Sequence, residues 1–189
     1  MRRPGVVVLV VGALGVLSVA GYLFGASQGR SPSATPPAAA GSGPVGSPPV
    51  VFGPVAAATD PVAAAAAWLR GYRQQSWADP QPWSWVGRVD PVVTGSLARD
   101  YQSVQGAGGG QEWRDFVARH CVATVTPPGG VIPPEAPRGA GEAWVQVTAD
   151  VLTHCETGPA PGEAVEHVAA TVELARGPDG LWRVSQRAF

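Results

Sequence analysis

Two dipeptides in the C-terminal half carry the residues best suited to chemistry: His120-Cys121 and His154-Cys155. Two His and two Cys make the donor set of a tetrahedral zinc site, and two Cys alone can close a disulfide. Strand alternation bears on the choice. Both dipeptides lie in stretches patterned with a period of two, where neighbouring side chains point to opposite faces. The imidazoles then lie on the side away from the thiols unless both strands bulge, so no metal is expected. If the two stretches form a hairpin centred near Arg138, Cys121 and Cys155 fall opposite one another on a shared face, and a disulfide is expected. Two buried thiols are the outcome if the register slips. Closing a loop of about thirty-four residues stabilises a fold by ~3–4 kcal/mol in the chain-entropy view, less any strain.

Acid–base chemistry is the next possibility. Proton transfer beside a carbonyl needs a base in an apolar pocket and a donor for the developing oxyanion. Asp100 with Tyr101, or Asp150 with His167, offer the residue types. Their spacing selects neither pair, and both Asp read equally well as exposed residues. No catalytic residue, cofactor or metal is therefore assigned. Among the Trp residues, Trp68, Trp113, Trp144 and Trp182 fall at positions expected to pack, whereas Trp77, Trp83 and Trp85 cluster in a Pro-rich segment. That cluster is a candidate partner-binding patch, with packing over the open end of a sheet as the alternative.

The elements that must position these residues follow from the pattern. Asp60-Pro61 is a helix start, Asp as N-cap and Pro at the first helical position. From Pro61 to about Gln75, Ala65, Trp68, Leu69 and Tyr72 recur at three and four residues, one apolar stripe. Short helices are expected at Pro82 to Val89, at Ser96 to Ser103 with the Thr94 hydroxyl as cap, and at Glu112 to Arg119. After His120 the period changes to two, giving four strands: His120 to Thr126, Glu142 to Cys155, Val165 to Arg176 and Leu181 to Ala188. Pro178-Asp179-Gly180 turns the last pair. Helices first and a strand meander afterwards predict an α+β domain, its helices packed on an antiparallel four-stranded sheet.

Upstream of that domain the composition differs. Val6 to Ala26 contains no charge, and at about 1.5 Å per residue it is long enough to span a membrane as a helix. Arg2 and Arg3 in the stub of residues 1–5 place the N-terminus in the cytoplasm and the rest outside. A cleaved signal peptide ending near Ser18 and Ala20 is the competing reading. Residues 27–58 are Pro, Ala, Gly and Ser with few large side chains, the composition of a disordered tether. The extracytoplasmic domain is then 59–189. Its basic residues are all Arg, scattered and offset by 14 acidic residues, which leaves no stripe for phosphates and excludes direct nucleic-acid binding.

The order of pieces resembles the cystatin-like cone fold of the nuclear-transport-factor and ketosteroid-isomerase superfamily. The likeness rests on the helix opening at Asp60-Pro61 with Trp68, Leu69 and Tyr72, on Thr94-Gly95-Ser96-Leu97, and on Asp179-Gly180-Leu181-Trp182-Arg183-Val184. With the anchor and tether, it is similar to TcpC-like conjugation proteins, bitopic scaffold components of type IV secretion channels. That resemblance implies a curved sheet, a homo-oligomer, envelope or channel proteins as partners, and no catalysis. The Asn-Pro-x-Gly turn of the Gram-negative scaffold members is missing from this sequence. An accessory subunit of another envelope complex, such as a lipid importer, shares the layout, and an isomerase-like enzyme or small-ligand binder shares the fold.

Overall fold

In the computed structural model the described residues are 48–137, 139–158 and 163–188. The expected span at Val6 to Ala26 and most of the expected tether lie outside them. Among the described residues no helix is long and apolar enough to cross a membrane.

Helix α1 covers Pro61–Arg73, and the Asp60 carboxylate caps it by accepting the Ala63 N–H at 2.8 Å. Ala64, Ala65, Trp68 and Leu69 form its buried stripe. A short strand β1 (Gln75–Ser76) follows, then helix α2 (Trp85–Val89), a 3-10 turn (Asp90–Val92), helix α3 (Gly95–Ser103) and helix α4 (Gln111–Ala118). The remaining strands are β2 (Cys121–Val125), β3 (Gly129–Val131), β4 (Glu142–Cys155), β5 (Glu163–Arg176) and β6 (Trp182–Ala188). The strand path is β1-β2-β4-β5-β6, antiparallel throughout, with β3 also paired to β4.

The domain is α+β, as its pattern predicts, with three differences in detail. The sheet has six strands among the described residues rather than four. Neither β1, of two residues, nor β3, of three, is long enough to show a period. In addition, β3 contains two Gly, which read as loop. Gly130 is there because α1 comes close: a Cβ at that position meets the Val62 side chain at 2.8 Å. Strands β2 and β3 lie end to end along β4 with a local shift. Val125 faces Val151 and Gly129 faces Thr148, so four steps on the outer line match three on β4. The second difference is at α3, where Thr94 is the N-cap residue but its hydroxyl makes no capping bond. Helix α2 also starts three residues later than the pattern predicts.

The core lies between the helices and one sheet face. Trp68 and Leu69 of α1, Val86 and Val89 of α2, and Leu97 and Tyr101 of α3 pack on Val145, Val147, Val172, Leu174 and Val184. The outer edge of β6 is covered at its start, over Trp182–Val184, by chain from before α1 and before α3. The Trp182 N–H donates to the Ala58 carbonyl at 2.8 Å, and the Thr94 N–H donates to the Val184 carbonyl at 2.9 Å. Within β6 one extra residue, Ser185, bulges opposite Glu173, and its hydroxyl donates to the Glu173 carbonyl at 3.2 Å. The final hairpin turns at Gly180, whose φ of 77° suits the residue without a Cβ.

Candidate interaction surfaces

Helix α1 does not cover the whole sheet, and an open groove of about 670 Å³ runs between its C-terminal half and β4–β5. Its floor is apolar, from Leu69, Val147 and Ala170, and its rim is polar. Arg73, at the end of α1, pairs with Glu166 of β5 across the rim. Arg187 of β6 donates to the Tyr72 hydroxyl at 2.9 Å, with its guanidinium 5.4 Å from the Tyr72 ring centre. Behind Tyr72 the aromatic rings fill the space themselves. Tyr72 stacks on Trp68 and on Tyr101, at 5.4 and 5.8 Å between ring centres, and meets Trp85 edge-on at 4.9 Å. These are favourable quadrupole geometries that lock the rings together. The buried Trp68 indole N–H donates to the Tyr101 hydroxyl at 3.2 Å. Burial raises the Tyr101 pKa above its ordinary value, partly offset by the Trp68 hydrogen bond and by Arg187. A phenol held neutral in this way is a structural hydrogen-bond partner and a weaker acid than usual.

The two acid–base pairs named from sequence occupy different places. Asp100 is exposed on α3, while the adjacent Tyr101 points into the core. Asp150 and His167 are cross-strand partners on the sheet face away from the helices, hydrogen-bonded and solvent-exposed. Neither arrangement places a carboxylate in an apolar pocket beside an oxyanion donor.

Cys121 and Cys155 face each other across β2 and β4 and are joined as a disulfide, with Cα atoms 4.0 Å apart. The two imidazoles diverge from it. His154 is exposed, and His120 stacks on Trp77 at 4.4 Å between ring centres and pairs with Glu156 at 3.2 Å. Among the described residues no cluster of three His, Cys, Asp or Glu could hold a metal ion.

The Trp-rich segment is divided. Trp77 belongs to the His120 stack, Trp85 to the Tyr72–Tyr101 cluster, and Trp83 is half-buried against the core. Trp83 and Trp85 together with Trp113 and Phe116 line a second open groove of about 670 Å³, beside the Gly-rich loop before α4. Nothing local in the sequence places the Gly108–Gly110 run against Trp83.

One cluster has no counterpart in the sequence reading. Arg88 of α2 is buried and pairs with buried Asp79 at 2.9 Å, while also donating to the Gln74 carbonyl at 2.5 Å. The second Asp79 oxygen accepts the Ser76 N–H at 2.9 Å. Phe52 lies 5.8 Å from the guanidinium, and the Val55 N–H donates to the Arg88 carbonyl at 3.0 Å. This network pins residues 52–55, the end of α1 and α2 to one point.

No protein-family model matches this sequence, and no curated protein matches it. Among solved structures, an "Ntf2 like protein involved in plasmid conjugation" is similar at TM-score 0.44 and 12% identity, over 67% of this chain and 47% of that one. A "periplasmic fragment of TraM" is similar at TM-score 0.42 and 12% identity, over 66% of this chain and 90% of that one. The matched part thus spans about half the length of the first of these proteins.

Proposed function

We propose that this chain is a non-catalytic scaffold component of a conjugative-transfer or type IV secretion-like channel, anchored in the membrane and acting outside the cytoplasm through protein contacts. The observation that carries the assembly reading is the distal part of the β4–β5 hairpin. There Glu163, Ala164, Val165, Glu166 and His167 are all exposed, so both faces of the strand meet solvent. A domain built for chemistry invests its polar groups in a pocket. Here the groove's Arg73, Glu166 and Tyr72 are engaged with one another or with Arg187, and the projecting surface is a strand. The channel assignment draws on the sequence resemblance to TcpC-like proteins and on the apolar stretch Val6 to Ala26 followed by a Pro-rich tether.

Proximity crosslinking of the full-length protein in its native membrane tests the proposal. Recovery of conjugation-channel subunits joined to residues 59–189 is the expected result. Recovery of lipid-importer subunits instead overturns the channel assignment, and recovery of no protein overturns assembly as its mode of action.

A further inference from the structure

The strand that projects also has an open edge. Strand β5 runs from Glu163 to Arg176, but β6 pairs only with Thr171 to Arg176. Over Glu163–Ala170 the described residues supply β5 with one neighbour, β4. Other margins of the sheet are shorter or shielded in part: among the described residues the outer sides of Ser185–Ala188 and of the three-residue β3 also lack a strand neighbour. β6 is capped by Ala58 and Val93, β1 is two residues long, and the bulge of the β5–β6 pair sits at Glu173, outside the open part. Proteins usually blunt an open edge with Lys, Pro, a bulge or a cover. The stretch EAVEHVAA has no Lys, Pro or bulge, its charges are those of Glu163 and Glu166, and Val165 within it is 53% exposed.

We propose that this edge is a self-association site, where a second copy of the chain adds its own β5 in antiparallel register. A two-fold axis perpendicular to the sheet always sets one residue opposite its own copy, so few registers exist. With Val165 central, Val165 meets the partner copy's Val165, and on the same face Glu163 falls opposite His167 twice. On the other face Glu166 falls opposite the small Ala164. Centring on Glu166 sets two carboxylates opposite each other, and centring on His167 sets two imidazoles opposite, both unfavourable. Centring on Ala164, Val168 or Ala169 brings no unlike charges together, so the Val165 register is the one with charge complementarity, and that complementarity selects a second copy as occupant. Five residue pairs bury less than the ~1,200–2,000 Å² of a stable complex. The contact therefore forms at high local concentration and is lost on dilution.

This inference rests on the assembly reading and names one of its partners. The test is oxidative crosslinking of the full chain carrying Val165→Cys, with the bond mapped by mass spectrometry so that exchange with Cys121 or Cys155 is recognised. Residues facing each other across a two-fold strand pair lie within disulfide reach, so covalent dimer about tenfold above that of Thr148→Cys, on the interior strand, is expected. Glu163→Arg added to Val165→Cys lowers the yield several-fold, and Glu163→Arg with His167→Glu restores it. A Val165→Cys yield no greater than the Thr148→Cys yield, or a maximum at Ala169→Cys, overturns the pairing. If that happens while channel subunits are still recovered by proximity crosslinking, the assembly reading stands without this contact. If Val165→Cys dimerises and no channel subunit is recovered, the pairing stands and the channel assignment falls.

Discussion

Beneath the helices, Val145, Val172 and Val184 are fully buried, and the sheet edge beside them is closed by Ala58 and Val93. Some eight residues along the same strand, Glu163 to His167 are exposed on both faces and β4 is their one neighbour among the described residues. One sheet thus passes from a packed end to a projecting arm. The two ends are held by different means. The packed end relies on apolar burial, while the arm relies on its ladder to β4 and on the Cys121–Cys155 disulfide near its tip, beside β1, to which the Arg88–Asp79 pair is tied through Ser76. A covalent tie matters most where there is least core.

The largest expected effect lies at the buried Arg88–Asp79 pair. Arg88→Met leaves the Asp79 carboxylate buried without its ion-pair partner, and breaking a buried pair in this way costs about 3–5 kcal/mol. Urea unfolding of the variant should show that loss as a lower midpoint. Arg88→Met with Asp79→Leu should cost less than the single change, because the stranded charge is gone. A loss of the size seen for surface pairs, about 0–1 kcal/mol, breaks the contrast by showing that water reaches Arg88.

The disulfide ranks next. Replacing both Cys121 and Cys155 by Ser removes a loop closure of 34 residues, worth about 3–4 kcal/mol at most in the chain-entropy view. Hydrogen exchange sharpens the prediction. Amides of Val151 to Cys155 and Glu163 to His167 should lose protection first, while those of Val145 and Val172 keep the protection of global unfolding. Uniform loss over both ends would mean that arm and core unfold as one unit.

These two regions also differ in how far they could be read from the residues. The main strands and α1 follow from the two-residue and 3.6-residue periods over long segments, where each residue repeats the same signal, whereas the Cys pairing needs in addition a hairpin centre near Arg138, which the period does not set. The α3 and α4 positions came from capping and short apolar spacing, and their ends shift by a residue. Arg88 was not legible. Its burial depends on Asp79 and Phe52, which only the folded chain brings to it, and an Arg four residues after Ser84 looks like any exposed helix position. The grooves were not legible for the same reason. Arg73 and Glu166 are 93 residues apart, and no local pattern links them. Of Trp77, Trp83 and Trp85, neighbours in sequence, the fold sets Trp77 in the His120 stack and leaves Trp83 and Trp85 together on one groove.

The smallest expected effect concerns a third ion pair, at the turn between β5 and β6, and it isolates burial as the variable. Asp179 accepts from Arg183 at 2.7 Å and from the Leu181 N–H at 3.1 Å. Those hydrogen bonds, the Arg183 one foremost, lower its pKa from 3.8 to about 2. A carboxyl depressed in the folded state stabilises the fold at pH values above its unfolded pKa. That contribution fades as pH falls from about 4 toward 2. Asp179→Asn keeps an oxygen for the Leu181 N–H and removes only the charge. Thermal melts should therefore show a loss smaller than either effect above at neutral pH, shrinking with added salt because the pair is exposed. Below pH 2 the wild-type carboxyl is itself uncharged, and the two curves should meet. If Asp179→Asn instead costs as much as Arg88→Met, the ion pairs of this domain are not ranked by burial, and the contrast between a buried pair and a solvent-screened one fails.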